Sequence, residues 1–163
     1  MSHFSRVKSQ ITIKEALVKG LQRLGLPVEV HDKPVELINT WGDRAIAEVI
    51  VRRSYLTIKG ARRECRSDLG FSWDTSDGVY QILFDESYEF RHSILLEKFS
   101  TYQNFRMQLE AAYQIESLPI LYPDAHFNIS EKVQAEDGSY TFEITKKVDP
   151  FALQEVGASN WGY

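Results

Sequence analysis

The sequence predicts an α+β fold in two layers, an antiparallel-rich sheet with two helical elements on one face. Three observations lead there. Short segments alternate apolar and polar residues with a period of two, the signature of half-buried strands. Two windows, near 12–25 and 88–115, instead carry apolar residues at helical spacing. Brief turn signals, "DTSDG" and Asp137-Gly138, join consecutive strands as hairpins.

The opening "HFSRVKSQI" sets Phe4, Arg6 and Lys8 against Ser5, Val7 and Ser9, which suits a short strand. "TIKE" then offers Thr12 as an N-cap and Glu15 three residues on, a capping-box pattern. Ile13, Ala16, Leu17, Gly20, Leu21 and Leu24 recur at helical spacing, and Gly25 can close the helix in a left-handed conformation. Gly20 costs such a helix about 1 kcal/mol relative to alanine, which points to close approach of another element, expected here to be a sheet. "LPVEV" reads as a short strand. "RAIAEVIVRR" is apolar on both faces around Ile46, Val49, Ile50 and Val51, as a strand with neighbours on both sides requires. "DLGFSW" and "VYQILFDES" form a hairpin across "DTSDG", with Gly78 able to supply a positive φ.

From Tyr88 to Ile115 the period is helical. Leu95, Phe99, Tyr102, Arg106, Leu109 and Tyr113 make one stripe with Phe105 and Ala112 beside it, as one helix or as two with a restart at Ser100. "LPILYPDA" is expected to end it through Pro119 and Pro123. "HFNISEKV" and "SYTFEITKKV" then alternate cleanly around Asp137-Gly138, and helices should cover their dry side. The expected organisation is one domain over 1–148 and a tail over 149–163 without a clear period.

Composition narrows the function classes. A chain of 163 residues with 43% hydrophobic and 26% charged residues is ordinary for a soluble globular protein. The net charge of −4 argues against general affinity for polyanions. One cysteine allows neither an internal disulfide nor a multi-thiolate metal site, which suits a reducing compartment. No apolar stretch approaches the roughly 20 residues of a membrane span. The start "MSHFSRVKSQI" resembles neither a secretory signal nor a transit peptide, so the protein is expected to work where it is made.

The most conspicuous segment is "RRSYLTIKGARRECR", residues 52–66, which gathers Arg52, Arg53, Lys59, Arg62, Arg63 and Arg66 on an acidic chain. It reads as a solvated connection at the end of a strand, or as a face for an anionic partner. The functional version favoured here is a protein partner with an acidic surface, held by Arg52, Arg53, Arg62, Arg63 and Arg66, with Trp161 and Tyr163 as aromatic anchors. An alternative is a nucleic-acid or small-anion module using the same cations with Tyr55 and Trp73, which the overall acidity disfavours. Phe71, Trp73, Tyr80 and Phe84 resemble a base-stacking platform, but without a glycine-aromatic signature they read as core.

Cys65 lies between Glu64 and Arg66, where arginines could activate a thiol, yet no positioned base is evident and it reads as structural. His3, His31, His92 and His126 show no metal-binding spacing, so no metal or cofactor is expected. Asp68, Asp74, Asp77, Asp85 and Glu86 offer a carboxylate pair, for instance Asp77 with Asp85, to an enzyme, against the simpler reading of turn chemistry. P-loop, dinucleotide-fold and hydrolase-elbow motifs are all missing, so a binding factor is a better reading than an enzyme.

"MSHFSRVKSQI", "KEALVKGLQRLG", "SDLGFSW…DGVYQILFD", a tyrosine-bearing helix and "EDGSYTFEI" follow in an order that resembles the ycf thirty-five family, a hypothetical reading frame of algal plastids and cyanobacteria. The resemblance covers most of residues 1–148. The segment between "VIVRR" and "DLGF", the "LPILYPDA" break and the tail depart from it. It brings no catalytic residues. It implies a small protein of a photosynthetic cell, in the plastid stroma or cyanobacterial cytoplasm, acting as a non-enzymatic accessory factor in assembly or regulation of the photosynthetic apparatus.

Overall fold

Five strands form one antiparallel sheet, in the order β1-β5-β4-β3-β2. The computed structural model describes residues 4–39, 42–124, 126–137 and 140–147. The elements run β1 (Ser5–Lys8), α1 (Lys14–Arg23), β2 (Glu29–Glu36), β3 (Ile46–Val51), α2 (Arg53–Leu56) and β4 (Leu69–Asp74). They continue with β5 (Val79–Phe84), a 3-10 turn (Phe90–His92), α3 (Ile94–Phe99), α4 (Tyr102–Leu121), β6 (Phe127–Ile129), β7 (Val133–Gln134), β8 (Tyr140–Thr141) and β9 (Ile144–Lys146). The chain divides into two compact units, Met1–Ser117 and Leu118–Tyr163.

In the first unit the α+β reading holds. β3 pairs with both β2 and β4, which is why Val49, Ile50 and Val51 are all fully buried. β2 is an edge strand, and this position tolerates Pro34, which cannot donate to a ladder. Phe71 stands opposite both Val49 and Ile82. These three join Leu17, Leu21, Phe105 and Leu109 in the main core, between the sheet and the helices. A smaller cluster of Phe4, Leu37, Ala45, Ala47, Ile50 and Leu83 makes a second core.

Three local expectations change. Helix α1 starts at Lys14 without a side-chain cap from Thr12, whose hydroxyl lies 3.3 Å from the Tyr113 hydroxyl instead. The close neighbour of Gly20 is a helix: a β-carbon there would sit 3.1 Å from the Tyr113 backbone nitrogen of α4. Of the two alternatives for the long helical window, the structure takes the second, two helices with the restart at Ser100. Ser100 adopts a positive φ of 66° between them, and the Thr101 hydroxyl accepts the Asn104 amide at 3.0 Å to start α4. Pro119 does not stop this helix. It lies within the last turn, and α4 ends at Leu121, just before Pro123.

In the second unit the expected hairpin forms its own small sheets, apart from the five strands. Phe127 faces Lys146 and Ile129 faces Ile144, whereas Val133 faces Thr141, one residue out of step with the first ladder. The predicted dry face is real in direction but thinly covered. Phe127, Ile129, Tyr140, Phe142 and Ile144 are half-buried, and Val133 is exposed. Gly138 and the tail over 149–163 lie outside the described residues.

Candidate functional site

The connection from β3 to β4 carries the basic run, and sheet register builds its base. Val51 pairs with Leu69, so the next residues outward, Arg52 and Asp68, stand across from each other at the strand ends. Asp68 is fully buried. Its Oδ2 accepts the Ile38 amide at 2.6 Å and Arg52 Nη1 at 2.9 Å, and its Oδ1 accepts the Arg53 amide at 2.7 Å. Arg52 Nε and Nη2 donate to the two carboxylate oxygens of Glu29 at 2.9 and 2.8 Å. This two-pronged bond to Arg52, aided by the His31 ring 2.6 Å away, pulls the Glu29 carboxyl down to about 2. The same contact with Glu29, then that with Asp68, raises the Arg52 pKa above its ordinary value.

A second buried carboxylate holds the far end of the connection. Glu89 is fully buried, accepting Arg63 Nη2 at 2.7 Å and the Arg66 amide at 2.8 Å. Between these anchors the Thr57 hydroxyl donates to the Arg53 carbonyl at 2.9 Å and accepts the Cys65 amide at 3.1 Å. The segment is therefore fixed at several points.

The six cations thus divide. Arg52 and Arg63 are committed to carboxylates of their own chain, and Arg66 binds through its backbone and is half-buried. Arg53 is half-buried. Lys59 and Arg62 are exposed, as is Tyr55 at 57%. Trp161 and Tyr163 lie outside the described residues.

The aromatic residues of β4 and β5 are core. Phe71, Tyr80 and Phe84 are buried, and only Trp73 is partly open, edge-on to Tyr80 with ring centroids 5.1 Å apart. Trp73 lies four residues along β4 from Leu69, about 13 Å from the end that carries the basic run. Tyr55 lies in α2 and Trp73 in β4.

Asp77 and Asp85 flank opposite ends of β5, a six-residue strand about 17 Å long. They cannot serve one acid/base site, which corrects that alternative. The turn reading fits the hairpin: Asp74 Oδ1 accepts the Ser76 amide at 2.9 Å, and Gly78 has a φ of 65°. Cys65 is 1% exposed, and burial pushes its thiol up to about 11, overriding the nearby Arg63. His31 bonds Glu29, and His92 sits in the 3-10 turn beside Arg63. Among the described residues, no three histidine, cysteine or acidic side chains converge as metal ligands.

Sequence reasoning found the arginines and missed their anchors. Asp68 could have been paired with Arg52 once the two strands were registered. Glu89 and Glu29 lay 26 and 23 residues from their arginines and carried no local signal. Neither a protein family, a curated protein nor a solved structure matches this chain. No helix among the described residues is long and apolar enough to cross a membrane.

Proposed function

We propose that this protein is a non-enzymatic accessory factor that binds another protein through the β3–β4 connection. One observation carries the reading: a basic segment of an acidic protein is fastened at both ends by the buried carboxylates of Asp68 and Glu89. A surface held in one shape loses little conformational freedom on binding, so its contacts count toward affinity. The presented groups are Lys59, Arg62 and Tyr55, with Arg53 and Arg66 at the margin. Charge complementarity makes the partner an acidic protein surface.

The setting we propose, the plastid stroma or cyanobacterial cytoplasm of a photosynthetic cell, is supported by the short sequence resemblances alone. A role in assembly or regulation of the photosynthetic apparatus belongs to the same proposal.

The anchors dictate the experiment. Reversing Arg63 would set a glutamate against buried Glu89 and disturb the fold, so Arg63 is unsuitable. Lys59→Glu with Arg62→Glu alters only exposed side chains. The double variant should keep the wild-type unfolding midpoint and lose partners captured by the wild-type chain from a photosynthetic extract. Unchanged capture removes the proposal.

A further inference from the structure

The first turns of α4 carry a second polar feature, apart from the basic connection. Tyr102, Arg106 and Glu110 fall at i, i+4 and i+8 and so stack along one side of the helix, with Gln103 and Met107 on the adjoining row. With Glu86, just past β5, they line a cleft of about 270 Å³. Two donors in this cleft have no acceptor. Tyr102 is only 8% exposed, and its hydroxyl is buried without a hydrogen-bond partner. The buried Nε of Arg106, one helical turn on, has none either. Among the described residues Arg106 makes no ion pair.

The ring of Tyr102 needs no hydroxyl for packing. It stacks on Phe84 at 5.9 Å and meets Phe90 edge-on at 5.8 Å, which phenylalanine would do as well. An orphaned buried donor is destabilising, so two of them beside one cleft need an external acceptor to explain them. Glu86 and Arg106 both act electrostatically on this phenol, which places the hydroxyl and both charges in one small space.

We propose that the cleft binds a small zwitterion of the α-amino-acid type. Arg106 and the Tyr102 hydroxyl take its carboxylate, Glu86 and Glu110 take its ammonium, and Met107 lies beside its side chain. Charge selects this class. Two carboxylates against one guanidinium repel phosphate or a dicarboxylate, and a simple cation would leave both donors unsatisfied. The volume suits a metabolite of that size and lies below the range of pockets that enclose larger ligands. Gln103 and Met107 are exposed lining side chains, and binding on this proposal requires their rotamers to move aside so that a ligand reaches the two donors.

The test is a titration of the ¹⁵N-labelled full chain with L-leucine, beside 4-methylpentanoate, which lacks the ammonium, and 3-methylbutylamine, which lacks the carboxylate. L-leucine should shift the amide resonances of residues 102–110 saturably at millimolar concentration, and each half-ligand should bind at least about tenfold more weakly. Arg106→Gln should weaken leucine about tenfold or more. Tyr102→Phe should weaken it severalfold while raising the unliganded unfolding midpoint by about 2–4 °C, because an unsatisfied hydroxyl is removed. Should Arg106→Gln fail to fold, Glu110→Gln tests the ammonium end, with about tenfold weaker binding expected. Absence of any saturable shift up to about 50 mM overturns the proposal. So does binding of 4-methylpentanoate as tight as that of leucine, retention of binding in the Arg106 or substitute Glu110 variant, or a lowered midpoint in Tyr102→Phe.

Discussion

The phenolic oxygen of Tyr113 lies 3.1 Å from the backbone nitrogen of Thr12 and 3.2 Å from that of Ile13, about a hundred residues earlier in the chain. Both amides donate to it at the entrance of α1, so the start of the first helix is held by a side chain of the last one. The Thr12 and Glu15 side chains, which read as a capping box, are used otherwise. Glu15 pairs with Lys19 on the surface at 2.9 Å.

Tyr113→Phe should therefore cost about 1–2 kcal/mol, the range for losing a cap or leaving buried amides unpaired. Glu15→Ala should leave the urea midpoint within error of wild type, since exposed ion pairs contribute little. Equal sensitivity at both positions would restore the capping box and remove the role given to Tyr113.

Asp68 serves three donors from the ends of β2 and β3: the Ile38 amide, the Arg52 guanidinium and the Arg53 amide. Asp68→Ala strands all three, and a loss of about 3–5 kcal/mol is expected in denaturant unfolding. Asp68→Asn keeps an acceptor and should cost less. A loss below about 1 kcal/mol for the alanine variant would show that solvent replaces the carboxylate easily.

Gly20 faces the backbone of α4, with Tyr113 N 3.1 Å and Tyr113 Cα 3.3 Å from where a β-carbon would stand. Gly20→Val should drive α1 and α4 apart and destabilise the protein by about 2 kcal/mol or more, despite ending the helix penalty of glycine. Thermal unfolding checks the sign. A stabilised variant would mean that the helices separate without loss.

Cys65 gives a pH-dependent test. Burial raises its folded pKa to about 11, above that of an unfolded thiol near 8.5. With the folded value raised, its contribution to stability is fully present below about pH 8.5 and is lost as pH climbs through 11. Cys65→Ser should flatten that alkaline decline. At pH 8 a thiol-reactive disulfide reagent should label the native protein far more slowly than the urea-unfolded chain. Fast native labelling would contradict the buried, protonated thiol.

How much of this was legible in advance differs by interaction type. β3 was recognisable as a central strand because apolar residues on both faces can be buried only between two neighbours. The β4–β5 hairpin was legible because Asp74 and Gly78 do their work within the turn itself. The restart at Ser100 was left open by periodicity, since one positive φ does not disturb the spacing of Leu95, Phe99 and Phe105. Pro119 misled, because α4 takes it up in its final turn and runs two residues further, to Leu121. The five arginines of the basic run looked alike in sequence, yet two of them were already engaged by Glu29, Asp68 and Glu89.

By itself the sequence determined the α+β class, the first helix, the central strand β3 and the β4–β5 hairpin, whose signals lie in spacing and turn residues a few positions apart. Only the tertiary structure decided that Tyr113 holds the start of α1, that Gly20 meets a helix, and which arginines still face outward. Each of those depends on a group delivered through space from a distant segment. Its free energy reflects burial and pairing that no local pattern encodes.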